Sequence, residues 1–213
     1  MLTAPEPPKD CRQCKRLVAY RETLGTKHPD WFNGAVPSFG DPKAQLLILG
    51  LAPGASGANR TGRVFTGDQS GLLLFEMLGS LGVLNGAFDN RADDGLRLDR
   101  AMITNAVRCV PPENRPIAAE IRNCSPFLRA QIEALAELKL VLCLGKIAHD
   151  AAVRTFGLRP AAFKFGHCAE FRLPNGQILL SSYHCSRYNL NTGRLTRDMF
   201  QAVFLRAAQV LQD

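Results

Sequence analysis

The chain has 213 residues, of which 46% are hydrophobic, with a formal net charge of +7 and a calculated isoelectric point of about 9.2. This length suits a single domain with a large core, and no apolar run reaches the ~20 residues that a membrane span needs, which argues against a membrane partner. The positive charge is consistent with a polyanionic partner and equally with ordinary solubility. Seven cysteines without an export signal argue against a disulfide framework and favour a reducing, cytoplasmic setting.

The predicted elements alternate between strands and helices. Residues 1–9 are expected to form a flexible N-terminus, and 10–213 a single domain that begins with a helix over 10–24 capped by Asp10. Strands are predicted over 45–50, 101–107 and 139–144, followed by a hairpin over 168–173 and 177–181. Helices are predicted over 70–81, 116–124, 125–138, 147–156 and 196–211. This order indicates an α/β fold, a single domain with a central, mostly parallel, four-stranded sheet flanked by helices on both faces.

The most informative segment is the loop over 50–68, which is rich in glycine and small residues and follows a predicted strand. Two further segments, 105–112 and 183–194, also follow strands. Because ligands of open α/β sheets bind at the carboxyl ends of the strands, we expect these loops to converge and to bring Phe65, Asp68, Asn105 and His184 together. A ring and an amide can hold a nucleobase by stacking and hydrogen bonds. A carboxylate and a histidine can act on the bond between that base and its sugar.

Each of these four residues also has a simpler interpretation. Asp68 would cap the helix that follows it, and Phe65 would belong to the core. Asn105 would bond to nearby backbone, and His184 would be an ordinary surface or core histidine. The prediction of a site therefore depends on the convergence of three loops and not on any single residue.

Four of the seven cysteines have the setting of ligands. Cys11 and Cys14 form a C-x-x-C pair, and Cys109 and Cys124 lie in polar segments rich in proline and arginine. Four thiolates suit either Zn²⁺ or an iron–sulfur cluster, and the lack of a second C-x-x-C favours the cluster. The remaining three cysteines are expected to be small buried hydrophobes: Cys143, Cys168 and Cys185.

Four segments resemble those of the iron–sulfur uracil-DNA glycosylases, most closely the type b (family 5) branch. They are C-R-Q-C-K-R-L-V-A-Y-R-E at 11–22, G-L-A-P-G-A-S-G-A-N-R-T-G-R-V-F-T-G-D at 50–68, N-A-V-R-C-V-P-P at 105–112 and S-Y-H-C-S-R-Y-N-L-N-T-G-R-L-T at 182–196. The resemblance covers nearly the whole chain, from Cys11 to about Val203.

The resemblance implies functional residues in three groups. Asp68 and His184 are implied to be catalytic, and Cys11, Cys14, Cys109 and Cys124 to hold a [4Fe-4S] cluster. The implied base-binding residues are Ala52, Pro53, Gly54, Phe65 and Asn105. The implied DNA-binding residues are Asn59, Arg60, Arg63, Arg187 and Asn189.

The expected activity is hydrolysis of the N-glycosidic bond of uracil and other deaminated bases, such as hypoxanthine and xanthine, in DNA. This reaction starts base excision repair and leaves an abasic site. No lysine stands where it would form a Schiff base, so we expect a monofunctional enzyme, a cytoplasmic monomer that acts on the DNA of a prokaryotic nucleoid. Two alternatives stay open: a non-catalytic iron–sulfur protein that binds nucleic acid or senses redox state, and a zinc-stabilised hydrolase of nucleotides.

Overall fold

The computed structural model describes residues 6–212. Its helices are α1 (Lys15–Lys27), α2 (Ala58–Thr61), α3 (Gln69–Ser80), α4 (Ala118–Ala134), α5 (Lys146–Thr155), α6 (Arg187–Asn191) and α7 (Arg197–Gln212). Its strands are β1 (Phe39–Gly40), β2 (Leu46–Gly50), β3 (Leu84–Asn85), β4 (Arg97–Leu98), β5 (Ala101–Asn105), β6 (Leu140–Leu144), β7 (Glu170–Arg172) and β8 (Ile178–Ser182).

The main sheet has six strands in the order β1-β5-β2-β6-β8-β7. The four inner strands are parallel, and the two edge strands run antiparallel to their neighbours. The α/β, mostly parallel prediction is confirmed, but the count of four strands is wrong. Strand β1 has only two residues, too few for a periodic pattern, and β7 is the outer arm of the predicted hairpin. A separate two-stranded sheet joins β3 and β4.

The inner strands are fully buried because helices cover both faces of the sheet. In β2, Leu46 and Ile48 face a core that includes side chains of α3 and α7. Leu47 and Leu49 face the opposite core, which includes side chains of α4 and α5. Alternate residues of one strand therefore serve two cores, which is why the parallel strands read as continuous apolar runs.

Helix α1 begins later than the sequence predicts. Its N-cap is Cys14, and Asp10 lies outside the helix. The residues before the helix are not helical: a turn over 8–11, in which the N–H of Cys11 bonds to the carbonyl of Pro8 at 2.9 Å, leads into the C-x-x-C pair. The predicted cap is therefore wrong, and the turn places Cys14 at the start of the helix.

Helix α4 is one helix where the sequence predicts two. Pro126 lies inside it, and the ring removes the N–H that would bond to the carbonyl of Arg122. The hydroxyl of Ser125 donates to that carbonyl at 2.8 Å. Ser125 thus replaces the missing hydrogen bond and does not cap a new helix.

The predicted flexible segment over 1–9 lies partly outside the described residues, since 1–5 are not among them. Glu6 forms an ion pair with Arg108 at 2.7 Å. The carbonyl of Lys9 accepts from the N–H of Ala35 at 2.8 Å. Within 6–212, no helix has both the length and the apolar character needed to cross a bilayer.

Candidate active site

A cleft of about 310 Å³ opens at the carboxyl ends of β2, β5 and β8. The structure brings into its wall the two predicted catalytic and all five predicted base-binding residues: Ala52, Pro53, Gly54, Phe65, Asp68, Asn105 and His184. Three loops far apart in sequence therefore meet at one edge of the sheet, as parallel strands require.

The loop over 51–68 is held by its own hydrogen bonds. The hydroxyl of Thr61 is within hydrogen-bond distance of the carbonyls of Gly57 and Thr66, at 3.2 and 3.1 Å. Arg60 donates from Nε to the carbonyl of Ser56 at 2.7 Å. A Cβ atom on Gly57 would lie only 2.3 Å from Oδ2 of Asp68. The glycine is needed because the loop backbone passes directly against the Asp68 carboxylate.

Asp68 is both the N-cap of α3 and part of the cleft. Its Oδ1 accepts from the N–H of Ser70 at 2.9 Å. The positive end of the helix dipole at this position stabilises negative charge. The Asp68 carboxylate can therefore cap the helix and face the cleft at the same time.

Phe65 and Asn105 form the neighbouring wall. Phe65 is buried with a φ of 52°, a conformation that is strained for a non-glycine residue and typical of functional sites. A Cβ on Gly50 would lie 2.3 Å from Oδ1 of Asn105 and 2.8 Å from Cε2 of Phe65. Glycine at the end of β2 therefore lets both the amide and the ring pass directly against the strand backbone. Within 6–212, the side chain of Asn105 has no hydrogen-bond partner, which leaves its amide for a ligand.

His184 forms the wall contributed by the loop after β8. Its ring lies 5.8 Å from that of Phe65, with an interplanar angle of 22°. Burial lowers the pKa of His184, and the nearby Asp68 carboxylate partly opposes this effect. The side chain of Asn189 donates to the carbonyl of His184 at 2.8 Å and fixes the backbone there. The Nδ1 atom of His184 is buried and has no partner among the described residues.

Two of the side chains predicted to contact DNA are buried in the structure. Asn59 is fully buried, and its amide donates to Oδ1 of Asn33 at 2.9 Å. Arg63 is 6% exposed and forms a bidentate pair with Asp94 at 2.6 and 2.7 Å. Its Nε donates to Thr66 at 2.8 Å. Both side chains hold the loop instead of reaching the surface, a role that residue type alone does not reveal.

The other residues predicted to contact DNA lie on the loops that form the cleft: Arg60 donates to the carbonyl of Gly67, beside Asp68, and Arg187 follows Ser186, which lines the cleft. Arg60 and Arg187 are exposed, and Asn189 is partly buried. Sequence reasoning missed helix α6, which begins at Arg187 and is capped by Ser186. It also missed Asn114, which lines the cleft with a φ of 55°. The turn-forming sequence P-P-E-N that ends at Asn114 was the available signal for it.

The four candidate ligand cysteines, Cys11, Cys14, Cys109 and Cys124, line one small cavity. Burial raises the pKa of the Cys109 thiol to about 12, and it also raises the pKa of Cys14 and Cys124. The main-chain N–H of Arg108 donates to Sγ of Cys124 at 3.3 Å. Elsewhere, Cys143 and Cys185 are buried as expected, but Cys168 is exposed. The prediction that Cys168 is buried is wrong, because the residue lies in an exposed turn just before β7, with a φ of 58°.

The cysteine cavity and the cleft are joined through the backbone. After β5, the N–H groups of Ala106 and Val107 bond to the carbonyls of Gly50 and Leu51, each at 3.0 Å. Ala52 packs in the same apolar cluster as the four cysteines. The floor of the cleft is therefore fixed by the segment that ends at Cys109.

Comparison with known proteins agrees with this geometry. A family model described as the uracil DNA glycosylase superfamily matches residues 37–208. The chain is 46% identical to a type-5 uracil-DNA glycosylase of Thermus thermophilus, over 94% of this chain and 93% of that protein. It is 42% identical to a type-5 uracil-DNA glycosylase of Pyrobaculum aerophilum, over 93% and 88%. The chain is also 34% identical to a type-4 uracil-DNA glycosylase of the same organism, over 83% of this chain and 78% of that protein. The resemblance inferred from the motifs is confirmed, and the chain belongs to the uracil DNA glycosylase superfamily.

Proposed function

We propose that this chain is a uracil-DNA glycosylase that hydrolyses the bond between uracil and deoxyribose in DNA. The observation that carries the proposal is the single cleft that holds a carboxylate, an aromatic ring, a free amide and a partly buried imidazole. We further propose that the cleft accepts other deaminated bases, with hypoxanthine and xanthine as the first candidates.

The cleft suits a base that has been turned out of the DNA stack. Flipping costs a few kcal/mol, and less for a mispaired base, so part of the selectivity comes from the DNA itself. The ring of Phe65 offers a stacking surface, and the unpartnered amide of Asn105 offers a donor and an acceptor to the edge of the base.

Asp68 and His184 have complementary tasks in this mechanism. As the glycosidic bond breaks, positive charge develops on the sugar, as in other oxocarbenium-like transition states. The Asp68 carboxylate stabilises that cation and orients the attacking water. His184, whose lowered pKa keeps its imidazole neutral near pH 7, donates a hydrogen bond to the base oxygen that gains negative charge.

Water is the nucleophile in this proposal. The described residues that line the cleft include no lysine, so no amine is placed to attack the sugar. The product is then an abasic site with both strands intact. Exposed Arg60 and Arg187 beside the cleft are suited to contacts with DNA phosphates.

We propose a [4Fe-4S] cluster on Cys11, Cys14, Cys109 and Cys124. The four thiols line one cavity and form a donor set of sulfur alone. The chain has no second C-x-x-C of the kind usual in zinc ribbons, which favours an iron–sulfur cluster. A further sign of fit is Arg108, which lines the cavity with a buried Nη2 that lacks a partner within 6–212. When bound, the cluster supplies iron–thiolate bonds that tie the turn before α1 to the segment after β5.

The activity is tested with oligonucleotides that each carry one uracil, hypoxanthine or xanthine, in single strands and in duplexes. We expect release of the free base and no strand break until alkali is added. Strand cleavage without alkali would contradict the monofunctional mechanism, and no base release from any substrate would refute the proposed activity.

The cofactor is tested separately on anaerobically purified protein. We expect a brown colour and about four irons per chain. Serine at Cys143, Cys168 or Cys185 serves as the control and leaves the colour intact. Stoichiometric zinc in a colourless protein would refute the cluster.

A further inference from the structure

Two buried arginines border the cysteine cavity, and the proposed reaction at the cleft uses neither. Arg108 is 1% exposed and Arg21 is 6% exposed. Burying a guanidinium is costly unless anionic or accepting partners surround it. The partners of these two side chains therefore indicate what the cavity is built to hold.

Arg21 has sulfur where a carboxylate would be expected. Its Nη1 donates to Sγ of Cys109 at 3.2 Å, and its Nη2 donates to the carbonyl of Cys11 at 3.0 Å. Within 6–212, no carboxylate lies within ion-pair distance of Arg21. The buried charge of Arg21 is thus directed at two of the four candidate ligand residues.

Arg108 is only partly neutralised. Its Nη1 donates to Oε2 of Glu6 at 2.7 Å, and Glu6 is 30% exposed. Its Nη2 is buried without a partner among the described residues, although Arg108 lines the cysteine cavity. A second carboxylate near the cavity, that of the buried Glu120, is already paired with Arg16 at 2.8 Å. Arg108 therefore has an unused donor and incompletely balanced charge at the cavity wall.

We infer that Arg21 and Arg108 are the counter-cations of the iron–sulfur cluster and set both its retention and its reduction potential. The inference rests on the cofactor proposed above. Four thiolates outnumber the positive charge of the iron–sulfur core, so the assembled site is an anion. Arg21 balances it through the N–H···S contact to Cys109, and Arg108 balances it through its buried charge and free Nη2. Net charge and hydrogen bonds to the sulfurs are the factors that set the potentials of such clusters.

The test uses charge changes of opposite sign. Arg21→Gln removes a positive charge, so the midpoint potential should become more negative and iron should pass to a chelator about 10–100-fold faster. Arg21→Lys keeps the charge but loses the planar pair of donors, so its potential should stay near that of the wild type while iron loss is intermediate. Glu6→Gln removes the carboxylate that competes for Arg108 and should shift the potential in the opposite direction from Arg21→Gln.

Arg12→Gln is the matched control, because Arg12 lies beside Cys11 in sequence with a side chain that is 75% exposed. Reductive titration followed by electron paramagnetic resonance gives the potential, and absorbance gives the rate of iron loss. Wild-type potentials and rates in both Arg21→Gln and Glu6→Gln would overturn the inference while leaving the cluster in place. If the Arg21→Gln protein does not fold, an unshifted midpoint potential in Glu6→Gln is enough to refute the inference. Wild-type protein that contains no iron would refute both the proposed cluster and this inference. Uracil release measured on the same samples tests the proposed activity separately.

Discussion

Replacing Asp68 by asparagine separates its two structural roles. In this chain, Oδ1 of Asp68 accepts from the N–H of Ser70 at 2.9 Å. Asparagine is as good an N-cap as aspartate, so its side-chain oxygen keeps this hydrogen bond. The negative charge facing the cleft is lost. Removal of one positioned electrostatic group lowers rates by about 10²–10⁴-fold, which corresponds to about 2.7–5.4 kcal/mol of transition-state stabilisation.

Asp68→Ala loses the cap as well as the charge. A lost N-cap costs about 1 kcal/mol, and for a domain of this size that lowers the melting temperature by about 2–4 °C. We therefore expect asparagine and alanine to reduce the single-turnover rate of uracil release similarly, while only alanine lowers the melting temperature.

Asp41→Asn is the matched control for this experiment. Oδ1 and Oδ2 of Asp41 accept from the N–H groups of Lys43 and Arg100, each at 2.8 Å, beside β1 and outside the cleft. This variant should lose stability and keep its rate. An Asp68→Asn protein that releases uracil at the wild-type rate would refute the catalytic role and leave Asp68 as a cap alone.

Three further predictions concern the walls and the mouth of the cleft. Burial lowers the pKa of His184, so the stability that its neutral ring contributes is complete above the ordinary histidine pKa and is lost as the pH falls through the folded-state pKa. Thermal melting should therefore show that the wild-type protein loses more stability than His184→Gln between pH 7 and pH 5. Equal losses in the two proteins would contradict this prediction. Arg63→Gln removes the guanidinium that pairs with Asp94 and leaves that carboxylate only the main-chain N–H groups of Asp89 and Leu96 as donors. Chemical denaturation should therefore show a loss of about 3 kcal/mol, the lower end of the range for a broken buried ion pair. A variant with wild-type stability and weakened DNA binding would instead show that Arg63 contacts a DNA phosphate. Arg187→Ala should weaken binding to DNA with any of the lesions equally and leave the melting temperature unchanged. The slope of log K against log salt concentration should become shallower by about one, the value for one lost phosphate contact. An unaltered slope would exclude that contact.

The sequence alone determined the order of the four inner strands and the loops that carry the chemistry. The apolar runs of β2, β5 and β6 are continuous because each strand is buried on both faces, and that pattern is local. The glycine-rich loop after β2 and the motifs around Asn105 and His184 are also local, and parallel strands place their carboxyl ends at one edge. The convergence of Phe65, Asp68, Asn105 and His184 was therefore predictable.

The tertiary structure alone decided which polar side chains are free to bind a ligand. Arg60 and Arg63 are close in sequence and identical in type, yet Arg60 is exposed whereas Arg63 is buried against Asp94. The partner of Arg63 comes from a turn 31 residues away, and no local pattern encodes that distance. The edge strand β1 and the contact between Arg21 and Cys109 depend on long-range packing in the same way. Burial and pairing are properties of the folded chain, so residue type could propose these side chains as ligand contacts but could not choose among them.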